Sequence, residues 1–187
     1  EDMVFQNGDY MDATSKIVNP EFDNGTTGWN LQTTIAPQSK ISIGAKGTVI
    51  EANQNHWQLW SSGSGINGKA YQTITNLPNG RYNVKAAVSA SFSGTVSLYS
   101  NLNKMTITSG VADFYTASGI VFDNTLEIGL QMATTGSPTI DFDHFTLTYL
   151  GLDAEGYMEV LHVKMLTAAA DTLKMSSAGM PGFNNIA

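Results

Sequence analysis

Tyr82, Val84, Ala86, Val88 and Ala90 occupy every second position of one stretch, while Arg81, Asn83, Lys85 and Ser89 fill positions between them. That period of two puts an apolar row on one face of a β-strand and a polar row on the other. The same alternation recurs at Val96-Leu98 and along Leu126, Ile128, Leu130 and Met132. Shorter candidates lie at residues 31–35, 40–43, 48–52, 56–60, 105–108 and 115–121. About ten short strands with half-polar faces point to an antiparallel β-sandwich. No strand–helix–strand rhythm is visible, which argues against a parallel sheet.

Two local features sharpen this reading. Asn76-Leu-Pro-Asn-Gly80 is a turn signal, because Asn79-Gly80 tolerates the positive φ of a tight reversal; it joins residues 70–75 to residues 81–90. In the segment 139–150, Ile140 and Phe142 hold even positions, whereas Phe145, Leu147 and Tyr149 hold odd ones. A bulge near Asp143-His144 reconciles the two phases.

The chain divides into an approach segment (1–15), a β-domain (16–150) and a tail (151–187). The approach segment is expected to be loose or docked as a loop. In the tail, Asp153 suits an N-cap, and Met158, Leu161, Met165, Ala169 and Leu173 follow at helical spacing. One such helix cannot bury its stripe alone, so it packs on the sandwich or begins a further helical region.

Composition removes several functions. A net charge of −7, with nine Lys and Arg against sixteen Asp and Glu, opposes binding to nucleic acid. Polarity comes instead from 20 Thr, 16 Ser, 15 Asn and 18 Gly. No run approaches the roughly 18–20 apolar residues of a membrane-spanning helix. Cysteine is absent, which excludes disulfides, thiolate metal sites and Cys nucleophiles. A start at Glu1, with no basic-then-apolar leader, suggests a processed or trimmed chain and is compatible with export.

Three chemical motifs are discounted. Gly63-Ser-Gly65-Ile-Asn-Gly68-Lys69 matches phosphate-loop spacing, but the residues after it read as strand, not as the helix whose N-terminus would face phosphates. His56, His144 and His162 lie in unrelated settings without a nucleophile elbow or paired ligand spacing, so structural roles are favoured. Asp141 and Asp143 share a strand face at about 7 Å, the separation of a glycosidase pair. Neighbours on one strand cannot flank a sugar from opposite sides, so a cation site or solvated polarity is more economical.

The segment His56-Trp57-Gln58-Leu59-Trp60 is more informative. Trp57 and Leu59 share one face, Gln58 and Trp60 the other, and only one face can be core. One indole is therefore expected near solvent, where it can stack on a sugar ring beside the amides of Asn53, Asn55 and Gln58. The competing reading buries both tryptophans.

Ile17-Val-Asn-Pro-Glu-Phe22-Asp-Asn-Gly25-Thr-Thr-Gly-Trp29 resembles the NPxFExGxxGW opening of carbohydrate-binding modules with a galactose-binding-domain-like jelly roll. Tyr71-Gln-Thr-Ile-Thr-Asn-Leu-Pro-Asn-Gly80-Arg-Tyr82 is similar to the YQTITGLPNGxY hairpin of such modules in Bacteroidetes glycan-degrading proteins, and Asp141-Phe-Asp143-His-Phe-Thr-Leu147 to their closing DxFDNVxL strand. The resemblance implies a jelly-roll β-sandwich that binds a polysaccharide or oligosaccharide without catalysis. It implies a secreted, periplasmic or cell-surface location and a larger modular parent. It also implies a structural Ca²⁺ held by Asp23 and Asp143, and a core role for Trp29. Two rivals stand beside it: an adhesion or spacer module that binds no sugar, and a small glycoside hydrolase using Asp141 or Asp143.

Overall fold

The computed structural model describes residues 10–151. Within them run nine strands: β1 (Met11–Asp12), β2 (Asn30–Thr33), β3 (Gln38–Ile43), β4 (Asn55–Trp60), β5 (Asn67–Thr75), β6 (Gly80–Ser100), β7 (Asn103–Thr106), β8 (Ala112–Val121) and β9 (Thr125–Gly151). Every strand pairing is antiparallel.

All nine strands belong to one hydrogen-bonded sheet, which the two longest strands curl into two layers, each itself a sheet of paired strands. Residues 125–133 of β9 and 93–100 of β6 carry β5, β2 and β7 in one sheet. Residues 139–151 of β9 and 80–91 of β6 carry β4, β3, β1 and β8 in the other. Both long strands turn the corner together. Ser93 pairs with Thr135 and Ser91 with Thr139, so Gly136-Ser137-Pro138 of β9 stand opposite the single Phe92 of β6, two residues more on β9 at the fold. Gly136 has φ +68, and Pro138 has no N–H to lose from the ladder.

The alternation read from sequence explains the core. Tyr82, Val84, Ala86, Val88 and Ala90 face inward from one sheet, and Leu126, Ile128, Leu130 and Met132 from the other, all buried. At one end of the sandwich, Phe22 is surrounded by Trp29, Trp57, Phe142 and Phe145, with ring centroids 5.3, 5.7, 5.6 and 6.2 Å away. Each such pair adds about 0.5–1.5 kcal/mol beyond area burial. The expected core role of Trp29 fits its position; its Nε1 donates to the carbonyls of Val18 (3.1 Å) and Asn19 (3.2 Å).

The expected phase slip is a bulge. Lys85 pairs with Thr146 but Ala87 with Asp143, so β9 has one residue more than β6 across that step. His144 takes φ +53, and the inward set changes from even to odd numbers behind it.

Three local expectations change. The turn at 76–80 does not close a hairpin, because β5 pairs with β2 and β9 whereas β6 pairs with β7, β8 and β9. It carries the chain from one sheet to the other, and Leu77 is buried there, its N–H donating to the Asn124 carbonyl at 3.1 Å. Residues 48–52 form a loop, with one isolated bridge from Lys46 to Ile50. The end of the approach segment is ordered: Met11 and Asp12 pair with Tyr149 and Thr148. The expected helix after Asp153 lies outside the described residues.

Candidate functional site

The outer face of the β3–β4–β9–β6–β8 sheet is built in cross-strand rows. One row reads Gln38, Trp60, Thr139, Ser91; the next reads Lys40, Gln58, Asp141, Ser89, Ala112; a third reads Ser42, His56 on two strands and Asp143, Ala87, Phe114 on the others. Trp60 is half-buried on this face, with Lys40 Nζ 5.6 Å from its ring centroid. Beside it, Gln58 Nε2 donates to Asp141 Oδ1 at 2.7 Å, which fixes the amide's orientation.

The tryptophan pair therefore splits. Trp57 is 2% exposed in the aromatic cluster, and its indole N–H donates to Ser39 Oγ at 2.7 Å. It offers no ring face to a ligand, because the residues inward on β4 are those that seal the core. Trp60 and Gln58 lie together on the surface. Asn55 sits at the other end of β4, donating from Nδ2 to Asp23 Oδ1 at 3.0 Å, and Asn53 is exposed in the β3–β4 loop. The structure does not bring these two amides to Trp60.

That loop crosses the same face, which the alternation pattern could not reveal. Val49 and Ile50 are buried against Ala87 on β6, with Ala112 of β8 packed beside them. Lys46 Nζ lies 3.3 Å from Asp141 Oδ1. Beneath the loop His56 is fully buried, its Nε2 3.1 Å from the same Asp141 oxygen. Burial holds the His56 pKa below its usual value, with the Lys46 charge acting the same way and Asp141 opposing both. The signal that could have found the loop is Val49-Ile50, two consecutive apolar residues closely following Gly44 and Gly47.

Asp141 is 3% exposed and bound by three partners, and Asp143 is fully buried. Among the described residues, the carboxylate nearest Asp143 is Glu21, packed within 4.8 Å of it rather than across an open cleft, and Asp141 is enclosed by its three partners, so neither forms the glycosidase arrangement there.

A second cluster lies at the bulge. Asp143, His144 and Glu21 each place one potential ligand atom within 4.8 Å of the others. Both Asp143 carboxylate oxygens are buried without a hydrogen-bond partner among the described residues. Burial pushes the Asp143 pKa up to about 7, with the charges of Glu21 and Asp23 adding to the rise and the His144 N–H and ring opposing it. The calcium implied by the resemblance takes oxygen donors only. Asp143 fits such an ion; the neighbouring imidazole does not, and the exposed Asp23 is hydrogen-bonded to Asn55. Glu21 and His144 were absent from the set expected from sequence, since nothing local shows that the bulge turns His144 toward the opening segment.

On the opposite sheet, the half-buried ring of Tyr71 is covered by Lys69 Nζ, 4.1 Å from its centroid. Lys69 is held there by both oxygens of Glu127, at 2.7 and 2.9 Å.

Two long strands shared between facing antiparallel sheets, closed at one end by the opening segment, match a set of solved structures. A family 61 carbohydrate-binding module in complex with β-1,4-galactotriose superposes with a TM-score of 0.54 at 16% identity, over 70% of this chain and 95% of that one. The protein folds as carbohydrate-binding modules do. A xylanase 10B fragment from Clostridium thermocellum, with a family 22 binding module and a family 10 catalytic module and bound xylohexaose, gives 0.50 at 15% identity over 71% of this chain and 28% of that one. The enzymatically active domain of bacteriophage CBA120 tailspike protein 4 gives 0.53 at 16% identity, over 71% of this chain and 21% of that one. At these identities the likeness is one of fold. No protein-family model matches the sequence, and no curated relative does.

Proposed function

We propose that the protein is a non-catalytic glycan-binding module acting outside the cell, with Trp60 as the stacking platform. The observation that carries this reading is a half-exposed indole on a sheet face beside an amide already oriented by a buried carboxylate. An aromatic ring offers area at little entropic cost; Gln58 and Gln38 supply donors and acceptors at its margin, and the Lys40 ammonium, 5.6 Å over the ring, is a flexible donor a ligand would move aside. A shallow surface with few contacts fits affinity in about the micromolar to millimolar range. The fold supports the same reading. No described helix is long and apolar enough to cross a membrane.

A glycan array followed by affinity electrophoresis tests the reading. Wild type is expected to retain one or more polysaccharides, and Trp60→Ala to lose that retention while keeping the wild-type melting temperature. Binding that survives in Trp60→Ala moves the site elsewhere; no binding by wild type favours a spacer or adhesion module.

A further inference from the structure

Asp143 and His144 are consecutive, and in a regular strand their side chains would leave opposite faces. The bulge removes that separation, and Glu21 arrives from the opening segment after Pro20, whose carbonyl accepts the N–H of Phe145 at 3.2 Å. Three potential ligands from two segments, far apart in sequence, thus converge.

The hydrogen bonds fix the imidazole. The Gln54 Oε1 atom accepts the N–H of Glu51 at 3.0 Å, which identifies it as the oxygen of the amide. His144 Nε2 lies 2.9 Å from that oxygen and so donates to it. In the neutral ring this leaves the Nδ1 lone pair directed at Glu21 Oε2, its close neighbour. Two acceptors face each other stably only with a positive charge between them, either a second ring proton or a bound cation. A ligating histidine that donates its other N–H to a carbonyl is the arrangement metal sites use to set the tautomer. Asp143 is fully buried with neither oxygen hydrogen-bonded, its Oδ2 3.7 Å from His144 Nε2, and a carboxylate buried with so little compensation is the independent sign that a cation belongs here.

We propose that Glu21, Asp143 and His144 bind a divalent cation of the zinc class, which accepts imidazole nitrogen and carboxylate oxygen together, with water completing its coordination. Calcium is disfavoured by the same donor set. The ion ties the opening segment to β9 at the bulge. The inference does not depend on Trp60 or on sugar binding.

The test uses the full chain freed of metal by chelation, titrated separately with Zn²⁺, Ca²⁺ and Mg²⁺. Zn²⁺ is expected to bind once per chain by calorimetry and, at about a hundredfold excess over Kd, to raise the melting temperature by about 5 °C. Ca²⁺ and Mg²⁺ should leave it unchanged. His144→Gln and Asp143→Asn should each weaken Zn²⁺ at least about tenfold, and bound Co²⁺ should show a visible absorption band that changes in His144→Gln. The Co²⁺ spectrum reads nitrogen ligation directly, so it decides the matter even if a variant is less stable. The proposal is overturned if Ca²⁺ matches Zn²⁺, if His144→Gln binds Zn²⁺ as wild type does, or if no cation binds.

Discussion

Lys46 Nζ stands 3.3 Å from Asp141 Oδ1, so the β3–β4 loop is tied by charge to the sheet it covers. The tie is reinforced by Val49 and Ile50, which pack on Ala87 from outside the main core. The loop thereby separates the outer face into a half carrying Trp60 and Gln58 and a half carrying the bulge at Asp143-His144.

The loop's hold is testable at Ile50. Ile50→Ala removes the larger buried side chain of a small cluster and should cost about 2 kcal/mol, the low end for an aliphatic truncation. Amide exchange across residues 45–53 should then accelerate while β5 and β9 keep their protection, by hydrogen-exchange mass spectrometry. Unchanged exchange in the loop would show that Lys46 alone holds it.

The two tryptophans should respond in opposite ways. Trp57→Ala opens a cavity among Phe22, Phe142 and Trp57's own neighbours on β4, and should cost about 3–5 kcal/mol in chemical denaturation. Trp60→Ala should change stability by less than about 1 kcal/mol, since its ring is already partly exposed and lies outside the core. Equal costs for the two would contradict the placement of Trp60 at the surface.

His56 gives a pH dependence with a defined sign. Its folded-state pKa is held below the ordinary 6.5, mainly by burial. As pH falls through about 6.5, the unfolded chain takes up a proton that the folded chain refuses, so stability declines toward the lower folded pKa. At neutral pH and above the group is neutral in both states and contributes no slope. Asp143, whose pKa burial raises to about 7, acts in the opposite sense over the same range, so the readout is a difference: from pH 7.5 to 5 the urea midpoints of wild type should fall relative to those of His56→Gln. Parallel curves for the two proteins would remove His56 as the source.

Phe22 closes the end of the sandwich from a left-handed backbone at φ +52, unusual for an aromatic residue. Phe22→Ala should cost about 3–5 kcal/mol and loosen the opening segment from β9. The expected readout is faster proteolysis near residues 18–28; a cut pattern identical to wild type would argue that Trp29 suffices.

Most strand positions were legible because burial on one side imposes a period of two, and that period is local. The bulge was legible for the same reason: Ile140 and Phe142 against Phe145, Leu147 and Tyr149 cannot share a face without an extra residue between them. The inward members of β6 and β9 could be read as core from their own segments, and Trp29 from the resemblance of the opening motif, whereas Phe22 was not singled out.

Strand partners were a different matter. Asn76–Gly80 has the residues of a tight turn, yet whether its flanking strands pair or separate depends on which neighbours bury Leu77, and those lie elsewhere in the chain. Alternation showed that Trp57 and Trp60 take opposite faces but not which face is inside; Phe22 and Phe142, remote in sequence, made that choice. Likewise Glu21 meets His144 only because β9 runs beside the opening segment. Periodicity is written along the chain and can be read there, whereas the meeting of distant side chains is decided by whichever packing buries the most apolar surface at once.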